Sequence, residues 1–263
     1  MDLHLAGRTA VVTGGSKGIG LATVRLLLAE GARVVAASRR ETPELKETGA
    51  THVAVDLSTA DGARQLADTA LAELGGVDVL VNNVGIGDTE DLARGSLHNL
   101  LELSDDAWRH TFDLHFYSAL WVSRALLPSL AERGGTVVNV SSVAARLVGG
   151  GPADYAVSKA ALSALTKVIA EQFGGQGVRA VTVSPGPVST GVFTDPDGFI
   201  ATLARQQGVT LEEFTQQMLT GFQVTTGRVS TPEEVARLIA FAASPNNITG
   251  TEFIIDGGLV KTV

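Results

Sequence analysis

Seven short runs rich in valine punctuate the chain: TAVVT (9–13), ARVVAAS (32–38), THVAV (51–55), VDVLVNN (77–83), GTVVNVS (135–141), VRAVTVS (178–184) and TEFIID (251–256). Most are apolar throughout rather than alternating, so strands built from them must be covered on both faces, as in a parallel sheet. Longer amphipathic stretches between them predict helices over 18–30, 59–74, 104–132, 154–173 and 231–243. Strand and helix in repeated alternation predict one doubly wound α/β domain over residues 1–263, its mostly parallel seven-stranded sheet flanked by helices on both faces. Thr231-Pro232-Glu233-Glu234 reads as a capping box with proline at the first helical position. Ser104 precedes two aspartates suited to a helix start, and Gly174-Gly175 suit a helix end. Residues 85–103 and 186–230 break the rhythm, and the second of these insertions predicts a substrate cover.

Composition removes several functions. The 263 residues carry 20 Lys plus Arg against 28 Asp plus Glu, a net charge of -8 with no dense basic run, which argues against nucleic-acid binding. There is no cysteine, so disulfides, thiolate catalysis and cysteine-ligated zinc are excluded. MDLHLAGRTAVVTGG lacks the basic leader of a signal peptide, and no stretch is long enough to span a bilayer. A cytoplasmic protein with no membrane partner is the expectation.

The first run enters TGGSKGIG (13–20), and a helix follows at once. Missing side chains permit a tight turn and let a pyrophosphate approach the backbone, while the helix start supplies free N–H groups. Gly14, Ser16, Lys17, Gly18, Ile19 and Gly20 are therefore candidate dinucleotide contacts. The second run ends at Ser38-Arg39-Arg40, where an NAD site usually has an acid for the ribose 2′-hydroxyl. Cations at that place, with Lys17 nearby, suit a 2′-phosphate, so NADP(H) is the expected cofactor.

In DYAVSKAAL (154–162), Tyr155 and Lys159 stand four apart and share a helix face. Hydride addition to a carbonyl needs a proton donor at the oxygen, and a neighbouring ammonium favours phenolate and would lower the tyrosine pKa.

Taken in order, TGGSKGIG, Asp56-Leu57, NNVG (82–85), Ser142, YAVSK (155–159), SPGPVST (184–190) and ITGTEFIIDGG (248–258) resemble the short-chain dehydrogenase/reductase family over nearly the whole chain. The resemblance implies a Rossmann-type fold and roles for matching residues. Asp56 and Leu57 would border the adenine. Asn82 and Gly85 would line the ribose side, Ile19 would pack near the nicotinamide, and Pro185, Gly186, Val188 and Thr190 would contact the nicotinamide half. Ser142 would hydrogen-bond the substrate oxygen, and Lys159 would also hold the ribose hydroxyls. A homotetramer or homodimer is implied in the same way.

One position departs from the pattern. His115 stands where the family usually has an asparagine that holds a water leading to the lysine. Three readings are open: His115 takes over the proton relay, it points into the substrate pocket, or it is a satisfied helix histidine. His110 is five residues away, the wrong spacing for a metal pair on one helix face, so no metal is expected. Phe193, Phe199, Leu203, Phe214, Met218, Leu219 and Phe222 give the 186–230 segment an apolar side, which suits a bulky apolar ketone, or only packing against the domain. Val143 to Gly151, ending in three glycines, is a candidate second wall. The main expectation is a ketoreductase-like oxidoreductase acting on a small carbonyl or alcohol substrate. An isomerase or dehydratase on the same scaffold, or a nucleotide-binding protein without turnover, is the alternative.

Overall fold

The structure is a computed structural model that describes residues 2–85, 100–148 and 152–261, apart from the side chain of Phe199. Its elements are, in chain order, β1 (Thr9–Thr13), α1 (Gly18–Ala29), β2 (Arg33–Ser38), α2 (Pro43–Lys46), β3 (Thr51–Ala54), α3 (Ala60–Leu74) and β4 (Val79–Asn82). Then come α4 (Asp105–Phe112), a π-helical turn (Asp113–Tyr117), α5 (Ser118–Arg133), β5 (Thr136–Val140), α6 (Ala153–Phe173) and β6 (Arg179–Pro185). The chain closes with α7 (Gly191–Thr194), α8 (Phe199–Gln206), α9 (Leu211–Gly221), α10 (Pro232–Ala243) and β7 (Thr251–Ile255).

The seven strands form one sheet in the order β3-β2-β1-β4-β5-β6-β7, and every pairing is parallel. Their apolar runs are explained by two cores, one on each face. In β1, Ala10 and Val12 enter the core shared with α1 and α10, while Val11 enters the core shared with α3, α5 and α6. Strand order reverses between β1 and β4, and ligands of such sheets bind in the crevice beyond the strand C-termini at that reversal. Among the described residues no helix is long and apolar enough to cross a membrane.

Two polar clusters pin the sheet. Asp78, buried just before β4, accepts hydrogen bonds from Thr9 N and Oγ1 (both 2.9 Å), Arg8 (3.1 Å) and Arg133 Nε and Nη2 (both 3.0 Å). Burial pushes its carboxyl up, but the bonds from Arg133, Thr9 and Arg8 outweigh it and hold the pKa at about 2. Arg179, at the start of β6, donates to Ser244 O (2.7 Å), Ile248 O (3.1 Å), Asn246 Oδ1 (2.9 Å) and Thr136 Oγ1 (2.7 Å). One guanidinium thus ties the end of α10 to β5 and β6.

The expected helix 104–132 is divided. The π-helical turn separates α4 from α5, and Ser118 Oγ donates back to Leu114 O (2.6 Å) where α5 begins. Such a turn adds one residue to an otherwise helical path, and apolar periodicity over a long window does not register it. The 186–230 insertion holds three short helices. Ile200, Ala201, Ala204 and Leu219 are buried, Phe193, Leu203, Phe214 and Met218 are half-buried, and Phe222 is exposed. Leu219 joins Val143, Val224 and Leu259 in a small third core beside the Ser142 turn. Residues 86–99 of the first insertion and Gly149-Gly150-Gly151 of the proposed second wall lie outside the described residues.

Candidate active site

At the end of β1 the chain turns through Gly14, whose φ of +66° is in the left-handed region. A Cβ on Gly20 would run into the Gly14 carbonyl oxygen, so only glycine lets α1 start this close to the strand. Asn83 braces the turn from β4: its Nδ2 donates to Thr13 O (3.1 Å) and Gly14 O (3.3 Å), and its backbone N–H donates to Thr13 Oγ1 (2.9 Å). Lys17 is exposed at the N-cap of α1, Ile19 is half-buried against the core, and Ser16 is buried with its carbonyl accepting from Thr42 Oγ1 (2.9 Å). Across the crevice, a Cβ on Gly18 would lie 3.1 Å from Thr190 Cγ2. Pro185 and Gly186 lead toward Thr190, Gly186 lies tight against Asp256, and Val188 bridges to Ser230. This bare turn at a helix start, facing the 185–190 segment, fits a dinucleotide.

At the end of β2, Arg39 and Arg40 are exposed. The Ser38 hydroxyl donates to Arg40 O (2.8 Å) and lies 2.9 Å from His52 Nε2, so its one proton shapes the turn that carries the arginines. Asp56 is exposed and accepts from Ser58 N (3.0 Å) and Oγ (2.8 Å). Burial is the largest single effect and raises its pKa, but the bonds from Ser58 and the charges of Arg39 and His110 together outweigh it and hold the carboxyl below its usual range. Leu57 is 4% exposed and its side chain packs into the core.

Ser142 follows β5 and caps a short 3₁₀ turn, its Oγ accepting from Ala144 N (3.1 Å). Tyr155 lies in the first turn of α6, next to Ser142. Lys159 is buried one turn on, its Nζ donating to Val140 O (3.0 Å) and lying 5.8 Å from the Tyr155 ring centroid. A Cβ on Gly85 would sit 3.7 Å from that Nζ, which brings the end of β4 to the same place. The order of electrostatic effects differs from the sequence expectation. Burial raises the Tyr155 pKa, with Ser142 opposing it. Burial also pulls Lys159 down to about 8.

Asn82 is not part of this face. In β4, Leu80 enters the core under α5, and Asn82, two residues on, follows it: Nδ2 donates to Ser123 Oγ (3.0 Å) and Asn139 Oδ1 (2.8 Å). Its neighbour Asn83 makes the contacts to the glycine turn. Strand parity carries that distinction, but the NNVG pattern does not.

His115 lies in the π-helical turn, 1% exposed, with its ring edge-on to Tyr155 at 5.2 Å. Ser158 gives its hydroxyl proton to Tyr155 O (2.8 Å), so His115 Nδ1, 3.2 Å from Ser158 Oγ, is the donor to that hydroxyl. The imidazole therefore carries its proton on Nδ1, and Nε2 is a bare acceptor. Burial, and then the charges of Lys159 and His110, hold the ring well below its usual pKa, so it is neutral. Sequence reasoning missed Asn83, whose role depends on strand parity, and Thr111, Asp154 and Ser158, whose roles depend on which helix faces which.

A glycine turn for a dinucleotide beside a half-buried serine and tyrosine and a buried lysine is the equipment of a nicotinamide-dependent oxidoreductase. The family model described as enoyl-(acyl carrier protein) reductase matches residues 14–260. A 3-oxoacyl-(acyl-carrier-protein) reductase of Vibrio cholerae is 31% identical, with 98% of this chain and 99% of that protein covered. The cis-4-hydroxycyclohexanecarboxylate dehydrogenase of Sinomonas cyclohexanicum is 34% identical, with 98% of each covered. Among solved structures, the L-sorbose reductase of Gluconobacter frateurii, complexed with NADPH and L-sorbose, superposes with a TM-score of 0.89 at 28% identity over the full length of both chains. The chain belongs to the short-chain dehydrogenase/reductase family and is an oxidoreductase of that family.

Proposed function

We propose that the protein transfers a hydride between NADP(H) and a carbonyl or secondary alcohol, with Tyr155 as general acid and base. The observation that carries this reading is Tyr155 set next to Ser142, with the Nζ of the buried Lys159 5.8 Å from its ring centroid. The cofactor, held by the glycine turn and the 185–190 segment, supplies or accepts the hydride. Tyr155, with its pKa raised, is protonated at neutral pH and can donate to the oxygen of a carbonyl being reduced. Ser142 holds that oxygen against Tyr155 and offsets developing charge. The half-buried Phe193, Leu203, Phe214 and Met218 favour a bulky, apolar ketone.

Preference for NADP(H) rests on Lys17, Arg39 and Arg40, with Ser38 where an acid would hold a ribose hydroxyl. The NADPH bound to the L-sorbose reductase supports it. Titration of the purified protein with NADPH and NADH is the test. NADPH binds more tightly, and Arg39→Asp weakens it ten- to a hundredfold, the equivalent of roughly 1.5–3 kcal/mol for a hydrogen bond to a charged group, with little change for NADH. Equal binding of the two cofactors would refute the assignment.

Lys159 sets a pH limit. Its pKa of about 8 means that the ammonium beside Tyr155 is present below pH 8 and lost above it. Carbonyl reduction under saturating cofactor therefore falls as pH rises through about 8. A rate that stays level to pH 9.5 would show that the lysine charge is not used.

A further inference from the structure

Tyr155 occupies an awkward place for a group that must be held still. It lies in the first turn of α6, whose N-cap is Pro152, and no side chain among the described residues caps that end. Uncapped first turns fray, because their N–H groups lack partners within the helix. Two hydrogen bonds from the α4 side flank the tyrosine instead. Thr111 Oγ1 donates to Asp154 Oδ2 (2.6 Å), one residue before it, and His115 Nδ1 donates to Ser158 Oγ, three residues after it. Thr111 and His115 are four apart, as are Asp154 and Ser158, so the contacts form two rungs between matching faces of two helical segments.

The rungs are costly for a purely structural device. Asp154 and His115 are each 1% exposed, and among the described residues Asp154 Oδ1 and His115 Nε2 have no hydrogen-bond partner. A buried polar atom without a partner destabilises a fold by about 1–3 kcal/mol, and an apolar pair of the same shape would avoid that cost. The second rung also passes through the catalytic residue's own backbone, since the Ser158 hydroxyl that accepts from His115 donates to Tyr155 O. The His115 ring meets the Tyr155 ring edge-on.

We propose that Thr111–Asp154 and His115–Ser158 form a two-rung clamp that positions the Tyr155 phenol toward Ser142. Thr111, Asp154 and Ser158 are positioning residues that act through Tyr155, and the clamp rests on the reading of Tyr155 as the proton donor. In this arrangement His115 contributes its Nδ1–H and its ring's contact with the Tyr155 ring.

The test compares kcat with affinity for the preferred nicotinamide cofactor in wild type, Tyr155→Phe, Thr111→Val and Thr111→Ser, using a ketone that the wild type reduces. Thr111→Val keeps the shape and removes the hydroxyl. It lowers kcat on the order of ten- to a hundredfold, the cost of a misplaced catalytic group, with cofactor affinity unchanged within twofold. Thr111→Ser restores the donor and recovers most of the rate. Wild-type kcat in Thr111→Val, or a parallel loss of cofactor binding, overturns the clamp while an inactive Tyr155→Phe leaves the Tyr155 reading standing. An active Tyr155→Phe overturns both. Should Thr111→Val not fold, Ser158→Ala cuts the other rung at a position where alanine is the best helix former, and the same split between kcat and affinity is required of it.

Discussion

Tyr155→Phe lowers kcat for carbonyl reduction by roughly two to four powers of ten, the usual contribution of a positioned general acid. The substitution removes one hydroxyl and leaves the ring that packs edge-on against His115, so the fold and cofactor affinity are kept. Ser142 remains anchored by its bond from Ala144 N. Single-turnover kinetics with bound NADPH separate the two roles: the hydride step slows, while the dissociation constant of the nucleotide stays within a few-fold. A variant with half the wild-type rate would mean that the proton comes from elsewhere, and the Ser142–Tyr155–Lys159 reading would fall.

The second large effect is on stability. Asp78→Ala destabilises the domain by about 3 kcal/mol, because it leaves the buried Thr9 N–H without its acceptor and frees Arg8 and Arg133 from a carboxylate that, among the described residues, only they and Thr9 reach. Both arginines are about 40% exposed and regain water, which keeps the cost below that of a fully buried pair. Urea denaturation at pH 7 measures the loss directly. A companion experiment varies pH. Asp78 has its folded pKa lowered from 3.8 to about 2, so its contribution is complete above pH 4 and is lost as pH falls from 4 toward 2. The shift corresponds to roughly 2 kcal/mol, and Asp78→Ala removes that part of the acid dependence. Equal acid sensitivity in the two proteins would assign it to other carboxyls.

The sheet was readable in the sequence because burial on both faces leaves a crude signal: seven apolar runs, each of which overlaps an observed strand. The glycine turn was equally legible, since close approach at Gly20 excludes every other residue. Legibility declined where one residue of register decides the role. Asn82 and Asn83 look alike in NNVG, and only the alternation of β4 sends the first under α5 and the second to the glycine turn. The π-helical turn was invisible for a similar reason, as one added residue rotates His115 toward Ser158 without disturbing the average apolar pattern. Spacing also left out burial, which raises the Tyr155 pKa and lowers that of Lys159, because a neighbour at i+4 reports a possible charge and says nothing of desolvation.

Arg179 has a consequence for how the chain matures. Its partners at Ser244, Asn246 and Ile248 lie more than sixty residues downstream in sequence. A growing polypeptide that has already aligned β5 and β6 can offer that guanidinium only Thr136 until α10 and the following turn emerge. Completion of the sheet's β7 edge is therefore a late event in synthesis, and chains stopped before Ser244 should be recognised by proteases as unfinished rather than persist as a smaller domain.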